Sequence, residues 1–218
     1  MPEERFQIET PRGPVSAAFV AGPRDAPVLV VGHGAGAGMD HPFMAGFCRA
    51  MGEGGVGTLR FNFPYMEVGR RSPDAPGNAI AAFAAAFDAA VQRAGKAPVF
   101  AGGKSYGGRI ASMAVAEGMP AHGLVFLGYP LHAPGKAGQP RDEHLYGLKL
   151  PMLFLQGTKD PFAEPATLAK VLARLGRRAT HVPFEGAGHS FERSRKDDAR
   201  EIGASLAEVA GPWIKEHV

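Results

Sequence analysis

Ser105, Asp160 and His189 are residues of this chain whose types and order suit acyl-transfer chemistry. A serine hydroxyl is a poor nucleophile at neutral pH. It needs an imidazole to take its proton and a carboxylate to orient that imidazole. Ser105 is the centre of Gly103-Lys104-Ser105-Tyr106-Gly107. An apolar, strand-like run precedes it at 97–101, and residues 108–116 behind it read as a helix. A serine on so sharp a strand-to-helix corner takes a strained backbone conformation that lifts its hydroxyl clear of the sheet. Glycines two positions to either side let the flanking backbones approach without a Cβ clash. The start of the helix adds N–H groups and a positive dipole end where a developing oxyanion would be stabilised.

The partners follow in sequence. An apolar strand run at 153–156 passes into a polar turn that places Asp160 just past a strand end, on the edge where α/β sheets hold their sites. Residues 180–184 read as a further strand, and the glycine-rich loop after it, 185–191, carries His189. Glu185 is the rival acid on that loop, while Asp160 has the alternative role of starting a turn before Pro161. His181 falls inside the strand pattern and reads as structural. A buried-strand run at 27–32 leads into His33-Gly34-Ala35-Gly36-Ala37-Gly38. One backbone amide of that loop, Ala35 or alternatively Gly36, would join the amide of Tyr106 in an oxyanion hole. Read as a phosphate-cradling dinucleotide turn, the same loop lacks the third glycine at the required spacing. The next strand, 58–62, also ends on Asn62 where that turn needs an acid.

These residues need a frame. Residues 5–10 and 15–20 read as an opening hairpin around Pro11-Arg12-Gly13. Further strands are expected at 28–31, 57–61, 97–101, 123–127, 152–155 and 180–183. Helices are expected at 42–51, 79–94, 108–116, 165–175 and 197–215. Ile80, Phe83, Phe87 and Val91 recur at helical spacing and read as core. The alternation predicts an α/β fold: a mainly parallel twisted sheet with helices on both faces. A length of 218 residues suits one domain spanning 1–218. Within it, 129–147 is a Pro-, Gly- and charge-rich insert over the site. It is too short for a multi-helix lid, so a minimal cap and an open pocket are expected. The pocket walls are sought among Phe63, Pro64, Tyr65, Met66, Tyr106 and Tyr129, apolar and aromatic residues that suit a core equally well. Lys104, with Arg70, Arg71 and Arg109, either pairs with nearby carboxylates or attracts an anionic substrate.

Composition sets the outer bounds. The hydrophobic fraction of 45% and the charged fraction of 21% are ordinary for a globular protein. A net charge of +3, scattered along the chain, gives no argument for nucleic acid. Cys48 is the only cysteine, which excludes an internal disulfide and fits a reducing compartment. Met1-Pro2-Glu3-Glu4-Arg5 has neither the basic start nor the apolar core of a signal peptide. No apolar run approaches the ~20 residues of a membrane span. A cytoplasmic protein without membrane association is expected. His132 and His144 flank the insert, but no cluster of His, Cys and carboxylate suggests a metal. The oligomeric state is left open.

Several stretches carry a family likeness: residues 33–44, Arg60-Phe61-Asn62-Phe63-Pro64-Tyr65-Met66-Glu67, residues 102–109, 128–136, 156–162 and 186–191. They resemble the α/β-hydrolase superfamily, within it the small dienelactone-hydrolase-like branch. They are more similar still to the hydrolase-like family of testis-expressed proteins and a subunit of the nonspecific-lethal chromatin complex. The likeness runs from about residue 15 to about 215. It implies the α/β-hydrolase fold and the chain order serine, acid, histidine. It further implies a serine hydrolase that cleaves a small soluble carboxylic ester or thioester through an acyl-enzyme, with no cofactor. Dienelactone hydrolases proper use a cysteine nucleophile where this chain has Ser105, which turns the expectation from dienelactones to esters and thioesters. The chromatin-complex relative keeps a non-catalytic binding or scaffolding module as the alternative.

Overall fold

The computed structural model describes residues 3–73, 75–133, 136 and 140–218. Met1, Pro2, Pro134, Gly135 and the 137–139 stretch of the expected insert lie outside the described residues. Eight strands form one sheet: β1 (Glu3–Ile8), β2 (Val15–Val20), β3 (Val28–Gly32), β4 (Gly57–Phe61), β5 (Val99–Lys104), β6 (Leu124–Leu127), β7 (Met152–Gly157) and β8 (Ala179–Phe184). Their order is β1-β2-β4-β3-β5-β6-β7-β8. The first two strands pair antiparallel, as do β2 and β4, and the pairs from β4 through to β8 are parallel. This is the mainly parallel α/β sheet expected from the sequence.

Alternation along the strands explains why both faces are covered. In β3, Val28 and Val30 enter one core while Leu29 and Val31 enter the other. Leu124 and Phe126 of β6 likewise oppose Val125 and Leu127. Strands apolar on both sides must be buried on both sides. One face is packed by α3 (Pro76–Ala94), α4 (Tyr106–Ala116) and α5 (Pro165–Leu175), the other by α1 (Pro42–Glu53) and α6 (Ala199–Glu216). Ile80, Phe83 and Phe87 of α3 are buried as their spacing predicts, whereas Val91 is 41% exposed. Proline opens α1, α3 and α5 at the first helical turn, where its missing N–H costs nothing. Asp198 caps α6 by accepting from the amides of Arg200 and Glu201. Three short elements escaped the sequence reading. They are α2 (Pro64–Glu67), a 3-10 turn, Glu143–Gly147, within the described part of the insert, and a second 3-10 turn, Gly176–Arg178, after α5. All are too short to show a periodicity.

Candidate active site

The parallel strands all end on one edge, and the chemistry gathers there. Ser105 sits between β5 and α4 with φ +50° and ψ −112°, a conformation that a non-glycine residue adopts only where its surroundings enforce it. The enforcement is steric. A Cβ on Gly103 would stand 2.2 Å from the carbonyl oxygen of Gly32, and one on Gly107 would stand 2.1 Å from the same atom. Both glycines therefore lie flat against the end of β3, and Gly103 also has φ +153°. The Ser105 amide donates to the Leu127 carbonyl at 3.0 Å, tying the corner to β6 as well. With three strands fixing the backbone, the Ser105 side chain points into the cleft.

His189 Nε2 lies 2.8 Å from Ser105 Oγ, and His189 Nδ1 lies 2.7 Å from Asp160 Oδ2. The three residues thus meet in one hydrogen-bonded chain although 84 and 29 positions separate the pairs. Asp160, only 3% exposed, is held on both oxygens. Oδ1 accepts from the Phe162 amide at 2.8 Å, and Oδ2 also accepts from Gln156 Nε2 at 2.5 Å. Gln156 in turn accepts from the Tyr129 amide at 2.9 Å. This glutamine fixes the carboxylate; the sequence reading passed over it as one more residue of a strand run. Glu185, the rival acid, is exposed and directs Oε2 toward Thr158 Oγ1 at 3.5 Å.

Burial lowers the His189 pKa, the neighbouring Lys104 ammonium pushes the same way, and the Asp160 hydrogen bond opposes both. The imidazole is therefore biased toward the neutral form that a general base needs. The ring of Phe162 meets it edge-on, with centroids 4.5 Å apart. Lys104 is buried and donates from Nζ to the carbonyl of His189 at 2.8 Å. Desolvation brings its pKa down to about 8, against the pull of Asp160 and Glu192. The sequence offered two roles for Lys104, a salt bridge or an anion attractor. Instead, its side chain ends on a backbone carbonyl, and no ion pair includes it among the described residues.

The loop after β3 faces Ser105 from the other side. Gly34, Ala35 and Ala37 border the cleft together with Tyr106, the first residue of α4. The Ala37 amide closes a turn onto the Gly34 carbonyl at 3.3 Å, and Gly36 takes φ +73° within it, the conformation a glycine supplies without strain. His33 anchors this loop. Its Nδ1 lies 2.8 Å from the Gly34 carbonyl and its Nε2 accepts from the Phe63 amide at 3.1 Å. Full burial pushes its pKa down to about 4, so the ring stays neutral with the proton on Nδ1.

A cavity of about 640 Å3 opens over Ser105, within the range of small-molecule sites. Phe43, Met44, Pro130, Phe162 and Ile202 supply apolar wall, and Arg109 and Arg141 supply charge. Of the expected aromatic walls only Tyr106 borders it, while the insert contributes Pro130, His132 and Arg141. Phe63, Tyr65 and Tyr129 are fully buried in the core beneath α3 and α4. The Phe63 ring packs edge-on against His33 and Tyr106, and Tyr129 packs against Phe126 and Phe154. Aromatic side chains at strand ends that turn inward find each other before they find a ligand. Among the described residues no group of His, Cys, Asp and Glu could hold a metal ion, and no helix is long and apolar enough to cross a membrane.

The fold and this cleft define an α/β hydrolase. Residues 25–214 match the model of the alpha/beta hydrolase domain family, and the chain belongs to that family. Among solved structures it is similar to a dienelactone hydrolase from Anabaena variabilis, at 19% identity over 100% of this chain and 98% of that one, with a TM-score of 0.78. A lid-less α/β serine hydrolase from Xanthomonas campestris is also 19% identical, covering 98% and 96% with a TM-score of 0.76. An esterase domain from Rhodothermus marinus is 16% identical, covering 100% and 99% with a TM-score of 0.74.

Proposed function

We propose that the protein is a serine hydrolase that cleaves a small carboxylic ester or thioester through an acyl-enzyme. The observation that carries this reading is the unbroken hydrogen-bonded chain from Asp160 Oδ2 through His189 to Ser105 Oγ. Ser105 Oγ attacks the carbonyl carbon while His189 Nε2 takes its proton. Asp160 accepts from Nδ1–H and stabilises the imidazolium. The oxyanion faces the amides of Ala35 and Tyr106. Collapse of the tetrahedral intermediate expels the alcohol or thiol, which leaves with the proton from Nε2. Water then attacks the acyl-enzyme by the same route in reverse, and no cofactor takes part. The whole chain acts as one α/β-hydrolase domain, with Pro130, His132 and Arg141 of the insert beside the site. A cytoplasmic location suits its single, free thiol at Cys48. Kinship with the testis-expressed and nonspecific-lethal-complex proteins rests on the motif residues and forms part of this reading.

Ser105→Ala is expected to cut hydrolysis of 4-nitrophenyl acetate by roughly 10³-fold or more and to abolish labelling by a fluorophosphonate probe, with an unchanged circular dichroism spectrum. Full turnover in the folded variant would refute the assignment. A wild-type protein that neither hydrolyses esters nor takes the label would be the scaffolding module instead.

A further inference from the structure

The charges around the cleft fall into two groups. On the side of the His189 loop, Lys104 and Asp197 are committed to hydrogen bonds. Lys104 Nζ donates to the His189 carbonyl. Asp197 accepts from the amides of Arg193 and Ser194 and from Ser194 Oγ. Glu192 borders the cavity beside Lys104 and His189, whose charges it feels. The opposite side differs. Arg109 and Arg141 both border the cavity, and among the described residues neither takes part in an ion pair. Arg109 Nε is buried and has no hydrogen-bond partner among them.

The position of Arg109 relative to the nucleophile is fixed by α4. Its amide donates to the Ser105 carbonyl at 3.1 Å, so it stands one turn beyond Ser105 on the same helix face, about 6 Å along the axis. A flexible side chain from there reaches the far end of a short acyl or leaving group bound at Ser105. Arg141 arrives from the insert. Its backbone is pinned by a hydrogen bond from the Arg141 amide to the Leu131 carbonyl at 2.6 Å and by the Tyr129 hydroxyl, which donates to the Arg141 carbonyl at 2.8 Å. The two guanidinium groups are close enough that Arg141 adds to the burial that already depresses the Arg109 pKa. Two guanidinium groups on one cavity, Arg109 half-buried and Arg141 exposed, neither in an ion pair among the described residues, are stabilised by an anion that bridges them.

We propose that Arg109 and Arg141 form an anion subsite in the Ser105 cavity. The ester or thioester cleaved there carries a negatively charged group, of the carboxylate type, at the end remote from the scissile carbonyl. This deepens the hydrolase reading and rests on it for the position of the reacting carbonyl. The guanidinium pair also distinguishes this cleft from a plain short-chain esterase site, whose walls would need no fixed charge.

The test compares two esters of similar length on the full-length protein: the 4-nitrophenyl monoester of adipic acid and neutral 4-nitrophenyl heptanoate. The wild type is expected to favour the anionic ester by roughly tenfold or more in kcat/KM, the scale of a charge-assisted hydrogen bond. Arg141→Met and Arg109→Met should each shrink that ratio several-fold, through KM for the anionic ester. Arg49→Met, an exposed position on α1 paired with Glu53, should leave both rates as they are. A wild type that prefers the neutral ester overturns the subsite whether or not the variants fold, as does a ratio unchanged in a folded Arg141→Met protein. Calorimetric binding of monomethyl adipate to Ser105→Ala separates this proposal from the hydrolase reading. Binding that weakens about tenfold on adding Arg141→Met supports the subsite even where no turnover is seen. No binding, beside intact wild-type hydrolysis of the neutral ester, removes the subsite and leaves the nucleophile standing.

Discussion

Ser105 is set by backbone packed on backbone, whereas His189 is set by side chains and by one loop resting on another. At the serine corner, β5 and the first turn of α4 pack backbone to backbone against Gly32 at the end of β3, and the Ser105 amide ties the corner to β6. At the histidine, the loop after β8 lies across the end of β7. The Lys159 amide donates to Ala187, Thr158 Oγ1 accepts from the Gly186 amide, and Lys104 reaches over to the His189 carbonyl. One half of the dyad is thus part of the sheet, and the other hangs from it by separate polar contacts. In the proposed mechanism the nucleophile must stay put through both acylation and deacylation, while the base must reorient its proton between them. A rigid mount for the first and an adjustable one for the second suits that division.

The same steric insult at the two places should give opposite results. A Cβ on Gly107 would stand 2.1 Å from the oxygen and 2.3 Å from the carbon of the Gly32 carbonyl, both central backbone. Gly107→Ala is expected to cost more than about 4 kcal/mol and to leave little folded protein in a urea titration. A Cβ on Gly157 would stand 2.4 Å from the carbonyl oxygens of Ala187 and Gly188, but these belong to the loop after β8 and not to a central strand. Gly157→Ala should keep the fold and lose roughly 10²-fold in kcat, the cost of a displacement of about 1 Å. Equal thermal stability of the two variants would dissolve the contrast.

Buried His33 sharpens it. His33 is wholly enclosed, with its pKa down at about 4 from an ordinary value of 6.5. The unfolded chain takes up a proton there as the pH falls below 6.5, while the native state does not until about 4. Stability is therefore present above 6.5 and lost as the pH drops through that window. At 1.36 kcal/mol per pKa unit, moving from pH 7 to pH 4.5 should remove about 2 kcal/mol through this residue. His33→Gln, which keeps an acceptor for the Phe63 amide, should flatten that slope in denaturant titrations. An unchanged slope would mean that His33 protonates without unfolding its loop.

The parts legible in the sequence follow this same division. The G-x-S-x-G corner and the loop that opens with His33 could be read because their geometry demands particular glycines at particular spacings. The parallel sheet could be read because strands buried on both faces leave continuous apolar runs. Asp160 and His189 could be placed after strand ends, and Asp160 could be preferred to Glu185, which lies only four residues before His189 on one loop. Gln156 and Arg141 left no signal. The role of each is defined by a partner distant in sequence, the Asp160 carboxylate for one and the cleft wall for the other. Phe63, Tyr65 and Tyr129 were misplaced for a related reason. An aromatic residue next to a catalytic motif has the same one-dimensional signature whether its ring turns toward ligand or core.

Lys104 tests the loop-held half most finely, because it belongs to strand β5 yet holds the His189 carbonyl. Lys104→Met removes the donor to the His189 carbonyl and should lower kcat about tenfold, the scale of one lost charge-assisted hydrogen bond. A merely structural role would stop there. The ammonium also pushes the His189 pKa down, so its removal lets the imidazole protonate more readily, and the acid limb of the kcat profile should move to higher pH. In the wild type the Lys104 charge is lost near pH 8. The unfolded chain keeps its lysine proton to about 10.5, so the native state gains stability between those values. Lys104→Met, having no proton to lose, should show neither that rise in stability nor a change in activity through pH 8. A variant whose kcat drops while its acid limb stays where the wild type has it would reduce Lys104 to a prop for the loop.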